Sequence, residues 1–234
     1  MKNIYTIGYA TKTTETFLNC LIKHKINCVI DVRSSPYSKT FSEFNKENLK
    51  TLLAKNSISY SNFSEAFGAR RTEDDVYEKT YDQNERPQLQ VSFRKVHQKE
   101  KFQNGYKRIL NGIQKGFNIC FLCSEKKPEN CHRFIMVASY FKNDEIDIIN
   151  IIDEETTQSY EETIAILEAE RDKFIRKINS KHNEYNCVSL LGDSLESDFD
   201  IWFKSVFNKE SEQNTALEFG NLKIGYVKGK ENDD

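Results

Sequence analysis

The chain has 234 residues, of which 38% are hydrophobic and 30% charged, and its formal net charge at pH 7 is -2. This length can bury a sizeable core, and 16 Phe and 11 Tyr argue against wholesale disorder. Three Pro and nine Gly exclude collagen-like and low-complexity proteins, and the charge balance excludes a strongly basic nucleic-acid coat. There is no signal-peptide pattern and no apolar run near the roughly 18 residues of a membrane span, so we expect a soluble, cytoplasmic protein with reduced thiols.

Short apolar runs alternate with amphipathic stretches in residues 1–153, which we assign to one domain. Strands are predicted at 4–7, 28–32, 58–60, 119–122 and 146–152, and helices after Thr13 or Thr14, after Asn45, at 98–115 and at 131–141. The polar stretch 61–93 is too long for a plain connector, which predicts a functional loop or lid. The alternation predicts an α/β domain of three layers with a mostly parallel sheet.

The pattern changes beyond residue 153, and we treat 154–234 as a C-terminal extension with helical and hairpin parts. One long, highly charged helix is predicted over 159–179. We expect residues 180–234 to form a small appendage, in which a hairpin is predicted around residues 220–221.

In parallel sheets, ligands bind outside the carboxyl ends of the strands. This rule selects the segment 123–133, which follows a buried strand and opens a helix. A helix N-terminus favours anions and lowers the pKa of a nearby thiol, so Cys123 is a candidate nucleophile and Glu125 a candidate proton donor or acceptor. His132 is the third catalytic candidate, because it adds positive charge at the same place.

Three arginines occupy strand-end loops, at Arg33, Arg70 and Arg133. Guanidinium groups suit two-point contacts with phosphate or carboxylate, so we expect an anionic ligand. Gly8 allows a positive φ or a close approach by the ligand. Arg71 is expected to be solvated. The candidate ligand-binding residues are Gly8, Tyr9, Asp31, Arg33, Ser34, Arg70, Cys131 and Arg133.

Metal binding requires at least three converging ligands. Cys123, Cys131 and His132 form a Cys-x7-Cys-His pattern that matches no common zinc spacing. Adjacent residues of a helix point about 100° apart, so the side chains of Cys131 and His132 are expected to diverge. We therefore predict no metal ligands, with a Cys/His metal site kept as an alternative, and the sequence identifies no cofactor.

Five segments resemble the successive motifs of the DUF488 family of uncharacterised bacterial and archaeal α/β proteins. They read YTIGYAT, VIDVRSSPYSKTF, FNKENL, AFGARR and ICFLCSEKKPENCHRFI, and the resemblance covers roughly residues 3–153. The family has His where this chain has Tyr9, and commonly Gly-Gly-Arg where it has Gly68-Ala69-Arg70. The resemblance implies a fold and the place of a site, and it implies no reaction.

A fainter similarity is to rhodanese-like and cysteine-phosphatase-like domains, in which a cysteine heads an anion-binding loop. Arg133 lies ten residues after Cys123, too far for a Cys-x5-Arg phosphatase loop. Sulfur or other group transfer through Cys123 stays open.

Two functions follow from these patterns. The first is an enzyme, a Cys- or Glu-dependent transferase or hydrolase that binds an anionic, phosphate-bearing nucleotide or nucleic acid. The second is a non-catalytic nucleotide- or nucleic-acid-binding module that uses the same cleft. No membrane partner is expected, and the sequence leaves the oligomeric state open.

Overall fold

A computed structural model of the protein describes residues 1–81 and 87–169. Its main sheet has six strands in the order β3-β2-β6-β1-β7-β8, all parallel except β8, which pairs antiparallel with β7. A separate antiparallel pair joins β4 and β5. The strands are β1 Lys2–Gly8, β2 Cys28–Asp31, β3 Ser59–Asn62, β4 Tyr77–Tyr81, β5 Pro87–Val91, β6 Ile119–Cys123, β7 Ile146–Ile151 and β8 Thr157–Ser159.

Helices cover both faces of the sheet, so the predicted three-layer α/β fold is confirmed. One apolar cluster joins the sheet to α1 and α2, and a second joins its other face to the remaining helices. The α-helices are α1 Thr14–Lys23, α2 Lys46–Lys55, α3 Ser64–Phe67, α4 Phe93–His97 and α5 Glu100–Gln114. A last helix is described over 160–169. No helix of the described ranges is long and apolar enough to cross a bilayer.

The prediction of a loop over 61–93 is wrong. This stretch contains α3, the β4–β5 pair and the start of α4. Its few apolar residues are widely spaced, but Phe67, Val76, Val91 and Phe93 are all buried in the core. Burial of these scattered side chains, rather than a continuous apolar run, holds the segment on the domain.

The helix predicted over 131–141 is irregular and starts later. Cys131 is extended, with φ -137° and ψ 134°, and a π-helical turn over Arg133–Val137 runs into a 3-10 turn over Ala138–Phe141. A π turn places an extra residue in each backbone ring, and such turns are frequent at functional sites. The rest of the predicted 159–179 helix, the 180–234 appendage and Cys187 lie outside the described residues.

The strand order creates a crevice between β2 and β6. The chain leaves β2 towards β3 on one side, and it leaves β6 towards β7 on the other. Because these connections diverge, the carboxyl ends of the two strands form a topological switch point, the usual ligand-binding place in such sheets. Asp31 pairs with Leu122 in the register, so the segments that follow both strands begin side by side.

Candidate functional site

Cys123 and His132 meet in this crevice. Cys123 ends β6, and its Sγ lies 3.9 Å from Nδ1 of His132. The opposite ring nitrogen, Nε2, lies 2.9 Å from the backbone oxygen of Val32, just beyond β2. A carbonyl only accepts hydrogen bonds, so Nε2 carries the proton and Nδ1 of the neutral ring is the acceptor that faces the thiol. The pair therefore has the geometry of a thiol and its base.

Cys131 joins the same cluster. Its thiol donates a hydrogen bond to the Cys123 sulfur, and the two sulfur atoms and a His132 ring nitrogen lie within 4.8 Å of one another. The expectation that Cys131 and His132 diverge is wrong. It assumed helical backbone at both residues, whereas Cys131 is extended and precedes the helical turn. All three side chains are buried.

The surroundings of Cys123 lower the pKa of its thiol to about 7. The largest cause is the hydrogen bond from Cys131; the positive charge of Arg133 and the backbone N–H groups of Glu125 and Ser124 act in the same direction against the effect of burial. Burial raises the pKa of the Cys131 thiol, which remains the proton donor. From the sequence, a lowered pKa of Cys123 was attributed to a helix N-terminus, whereas the neighbouring thiol of Cys131 contributes most.

Arg133 is fully buried beneath the loop that follows Cys123. It donates through Nε to Thr6 Oγ1 at 3.2 Å, through Nη1 to the Glu125 oxygen at 2.6 Å and through Nη2 to the Lys126 oxygen at 3.1 Å. The expected direct contact of this guanidinium with an anionic ligand conflicts with its burial, since these donors already serve the protein. Arg133 instead positions the loop and contributes charge to the thiol.

Gly8 is required by the same loop. A Cβ atom at this position would lie 1.7 Å from the Glu125 backbone oxygen and 3.2 Å from Arg133 Nη1. In the structure the group that approaches Gly8 closely is the protein's own loop, and the close approach of a ligand at Gly8 stays a prediction. A positive φ is not involved, since Gly116 is the one glycine among the described residues that has it.

Arg33 is buried in a network at the end of β2. Its Nε and Nη2 donate to the two Asp31 carboxylate oxygens at 2.8 and 2.5 Å, and Nη1 lies 3.4 Å from the Tyr9 hydroxyl. Tyr60 donates to Asp31 at 2.7 Å. Burial and the Asp31 carboxylate raise the pKa of Tyr60. The sequence argument missed Tyr60, although its place in the strand beside β2 was a usable signal.

Tyr9 packs as part of the core and also lies beside Arg33. Its ring stacks on Phe44, with ring centroids 4.4 Å apart, and the Arg33 guanidinium carbon lies 5.2 Å from its ring centre. Tyr9 therefore links the apolar cluster under α1 and α2 to the site.

Ser34 and Arg70, both candidate ligand-binding residues, are brought together through the Arg70 backbone. The Arg70 N–H donates to Ser34 Oγ at 2.9 Å, while the Arg70 side chain is exposed. The expectation that Arg71 is solvated is wrong, because the residue is buried. Its guanidinium donates to the backbone oxygens of Glu65, Ala66 and Gly68 and to the Glu73 carboxylate. Of the three arginines that the sequence selected, Arg70 is the one that offers its side chain to solvent.

The model of the family described as DUF488, a domain of unknown function, matches residues 13–140. The chain belongs to the DUF488 family. Neither the search of curated proteins nor the search of solved structures finds a match. The matched range contains the whole Cys123–Arg133 segment and the loops after β2 and β3, so most of the site lies within the DUF488 domain.

Two glutamates of the DUF488 segment are placed differently. Glu125, the predicted acid or base, is exposed, with Oε1 3.4 Å from the Ser124 hydroxyl. Glu129, which the sequence argument passed over, is buried, and its Oε2 has no hydrogen-bond partner among the described residues. Its burial depends on the 3-10 turn over Pro128–Asn130, which no apolar pattern reveals.

The Cys123, Cys131 and His132 cluster also has the donor set of a soft metal ion. Zinc binds thiolate sulfur at about 2.3 Å and imidazole nitrogen at about 2.0 Å, so two ligand atoms of one tetrahedral ion lie about 3.5–3.8 Å apart. The separations within the cluster, at most 4.8 Å, would have to contract by up to about 1 Å to fit. The hydrogen bond from His132 Nε2 to Val32 also resembles the anchoring of metal-bound histidines.

A second crevice opens at the same sheet edge, between β1 and β7. A cavity of about 420 Å³ there is lined by residues 11, 12, 16, 20, 126 and 152–155. Lys12 crosses it to donate to the Ile152 oxygen at 2.5 Å, and burial lowers the pKa of this lysine. Burial raises the pKa of the neighbouring Cys20 thiol. This crevice therefore holds a protonated thiol and an amine already engaged with the backbone.

Proposed function

We propose that this DUF488 protein is an enzyme in which Cys123 attacks a small anionic substrate in the β2–β6 crevice. The observation that carries the proposal is the contact of Cys123 Sγ with His132 Nδ1, in a ring whose Nε2 is held by the Val32 oxygen. A cysteine beside an oriented imidazole is the arrangement of an activated nucleophile.

The reaction type is group transfer through a covalent thio-intermediate. His132 accepts the Cys123 proton, and the thiolate sulfur bonds to the acyl, phosphoryl or sulfane-sulfur centre as the bond to the leaving group breaks. The imidazolium then returns its proton to the leaving group. In the second half, His132 takes a proton from water, or from an acceptor thiol when the group is sulfane sulfur. The deprotonated oxygen or sulfur bonds to the group as its bond to Cys123 breaks, and the imidazolium returns the proton to the Cys123 sulfur.

Two features support an anionic substrate, and a third supports a small reacting group. The backbone N–H groups of Ser124 and Glu125 point at the Cys123 sulfur, and Arg70 extends into solvent from the loop held by Ser34. Cys123 is only 3% exposed, which favours a small reacting group. Only the terminal phosphate of a nucleotide or nucleic acid would fit beside Cys123. A phosphate-bearing nucleotide or nucleic acid as the ligand stays a prediction.

Trapping the intermediate tests the proposal. The protein is incubated with p-nitrophenyl acetate, p-nitrophenyl phosphate or thiosulfate, and adducts are located by peptide mass spectrometry. We expect at least one probe to modify Cys123, with Cys20→Ser as the matched buried-thiol control that keeps the adduct. His132→Gln is expected to slow adduct formation about 100-fold, the scale of general-base catalysis.

Two outcomes would contradict the proposal that the protein is an enzyme. An adduct that survives Cys123→Ser, or a Cys123 that none of the probes modifies in the folded protein, rules out this nucleophile. If inorganic phosphate then binds equally well to wild type and Cys123→Ser, the non-catalytic binding module is favoured. A steep decrease of oligonucleotide affinity with salt would extend that result to nucleic acid.

The donor set supports a second candidate, a bound soft metal ion at Cys123, Cys131 and His132. Elemental analysis of the purified protein tests it, with Cys131→Ala expected to lose the ion and Cys28→Ala, at the opposite end of β2, expected to retain it. A metal content below one ion per ten chains in wild type, both before and after incubation with zinc, would overturn this candidate.

A further inference from the structure

The thiol cluster contains one sulfur more than a nucleophile and its base require. Cys131 is fully buried, its thiol donates to the Cys123 sulfur, and the two sulfur atoms lie within 4.8 Å. Both cysteines are free thiols. A disulfide joins its sulfur atoms at about 2.05 Å, so closure needs a relative movement of less than about 3 Å.

The part of the chain that has to move is favourably placed. Residues 125–127, between the two cysteines, are exposed, and the segment after Cys131 starts with irregular rather than α-helical turns. Cys131 itself has extended backbone and leaves a short 3-10 turn. The loop can therefore adjust without breaking a strand or a regular helix.

We propose that Cys131 is the resolving thiol of Cys123, and that the pair is oxidised to an intramolecular disulfide by a small hydroperoxide. This inference rests on the proposed function, because it requires the same reactive sulfur. It adds a class of co-reactant and a role for a residue that group transfer does not use.

The chemistry has two balanced steps. The Cys123 sulfur attacks one oxygen of the hydroperoxide, the O–O bond breaks, and Cys123 sulfenic acid and an alcohol, or water, are produced. The Cys131 sulfur then attacks the Cys123 sulfur, and the hydroxyl leaves with the Cys131 proton as water. The two electrons given up by the sulfur atoms reduce the peroxide.

Access selects the oxidant. Because Cys123 is only 3% exposed, a small oxidant such as hydrogen peroxide or a small alkyl hydroperoxide is favoured over a bulky disulfide. Cys20 and Cys120 form a natural comparison pair in the same fold. Both are buried, and burial raises the pKa of each, so neither presents a thiolate to the oxidant.

The experiment treats the full chain with hydrogen peroxide and maps disulfides and sulfenic acids by peptide mass spectrometry. We expect a disulfide between Cys123 and Cys131 to form at least ten times faster than any product at Cys20 or Cys120. Cys131→Ser keeps a hydrogen-bond donor but removes the second sulfur, so sulfenic acid at Cys123 is expected to accumulate. Cys120→Ser is the matched control and is expected to form the disulfide as wild type does.

The outcomes separate this inference from the proposed function. If group-transfer probes modify Cys123 but peroxide leaves sulfenic acid there in wild type as in Cys131→Ser, the resolving role is overturned and the nucleophile stands. If Cys123 resists both the probes and peroxide, both proposals fail. A disulfide that pairs Cys123 with another cysteine also overturns the inference.

Discussion

The helical layer and the strand edge each contain a buried histidine bound to a backbone oxygen. His97, in α4, lies with Nε2 2.7 Å from the Met136 oxygen and its ring beside Phe102 and Tyr140. His132 lies with Nε2 2.9 Å from the Val32 oxygen, but its other nitrogen faces Cys123. Both histidines are thus buried, and a hydrogen bond fixes the orientation of each imidazole ring. The difference is the Cys123 thiol, which faces the second ring nitrogen of His132.

Strand β6 repeats this contrast with two thiols. Cys120 and Cys123 are both buried, and burial raises the pKa of the Cys120 thiol. Cys123 is three residues further on, and the donors around it lower the pKa of its thiol to about 7 despite the same burial. The pKa of a buried thiol is therefore set by the groups that point at its sulfur atom. The variants described below alter one of these groups or a matched group elsewhere in the fold.

The largest effect on stability is expected from replacing Arg133, the buried cation at the strand edge. Arg133→Met leaves two loop carbonyls without their donor and removes a buried charge, so we expect unfolding to become easier by about 3–5 kcal/mol, measured by urea denaturation. Arg70→Met, at an exposed arginine, is expected to change stability by about 0.5 kcal/mol or less. Equal losses in the two variants would show that Arg133 does not support the loop.

The histidine of the helical layer is expected to control stability in acid. Burial lowers the pKa of His97 from 6.5 to about 4, so between these values the unfolded chain binds a proton that the folded chain does not. Stability then falls as the pH drops through that window, by about 3 kcal/mol from this group alone. Urea unfolding of wild type and His97→Gln at pH 4 and 7 measures the effect, which the variant should lack. If the stability of His97→Gln decreases with acid as steeply as that of wild type, the acid sensitivity does not come from His97.

The smallest effect is expected from removing the donor to Cys123. Cys131→Ala deletes the hydrogen bond that contributes most to the low pKa of Cys123, and we expect its alkylation midpoint to rise by about one pH unit. The rate at pH 6 then falls about tenfold. Cys131→Ser retains a donor and is expected to fall between wild type and Cys131→Ala. An unchanged midpoint in Cys131→Ala would refute the role of this hydrogen bond.

The fold was largely predictable because its central strands are continuous apolar runs. Ile119–Cys123 and Cys28–Asp31 have every residue buried, which is the pattern of a strand covered on both faces. The β4–β5 pair and β8 were missed, since Thr157–Ser159 is a short polar edge strand without apolar alternation. Elements that are stabilised by long-range contacts have no clear hydrophobic pattern in the local sequence.

The site was predictable only in its residue types. Cys123 and His132 were selected because they follow a strand, and the structure brings them together. Arg133 was expected to contact an anionic ligand and Arg71 to be solvated, but a sequence does not reveal which donors are already satisfied inside the fold. Glu129 and Tyr60 escaped notice for the same reason, because their burial depends on neighbours distant in sequence.

The central claim is that Cys123, unlike the other buried thiols, is a thiolate near neutral pH. Iodoacetamide labelling from pH 5 to 9, read for each cysteine by mass spectrometry on purified and chelator-treated protein, tests it most directly. We expect a midpoint at about 7 for Cys123 and continued protection of Cys20, Cys28 and Cys120 throughout that range. A Cys123 that remains as unreactive as Cys120 in both preparations would contradict the account and make this sulfur part of the core.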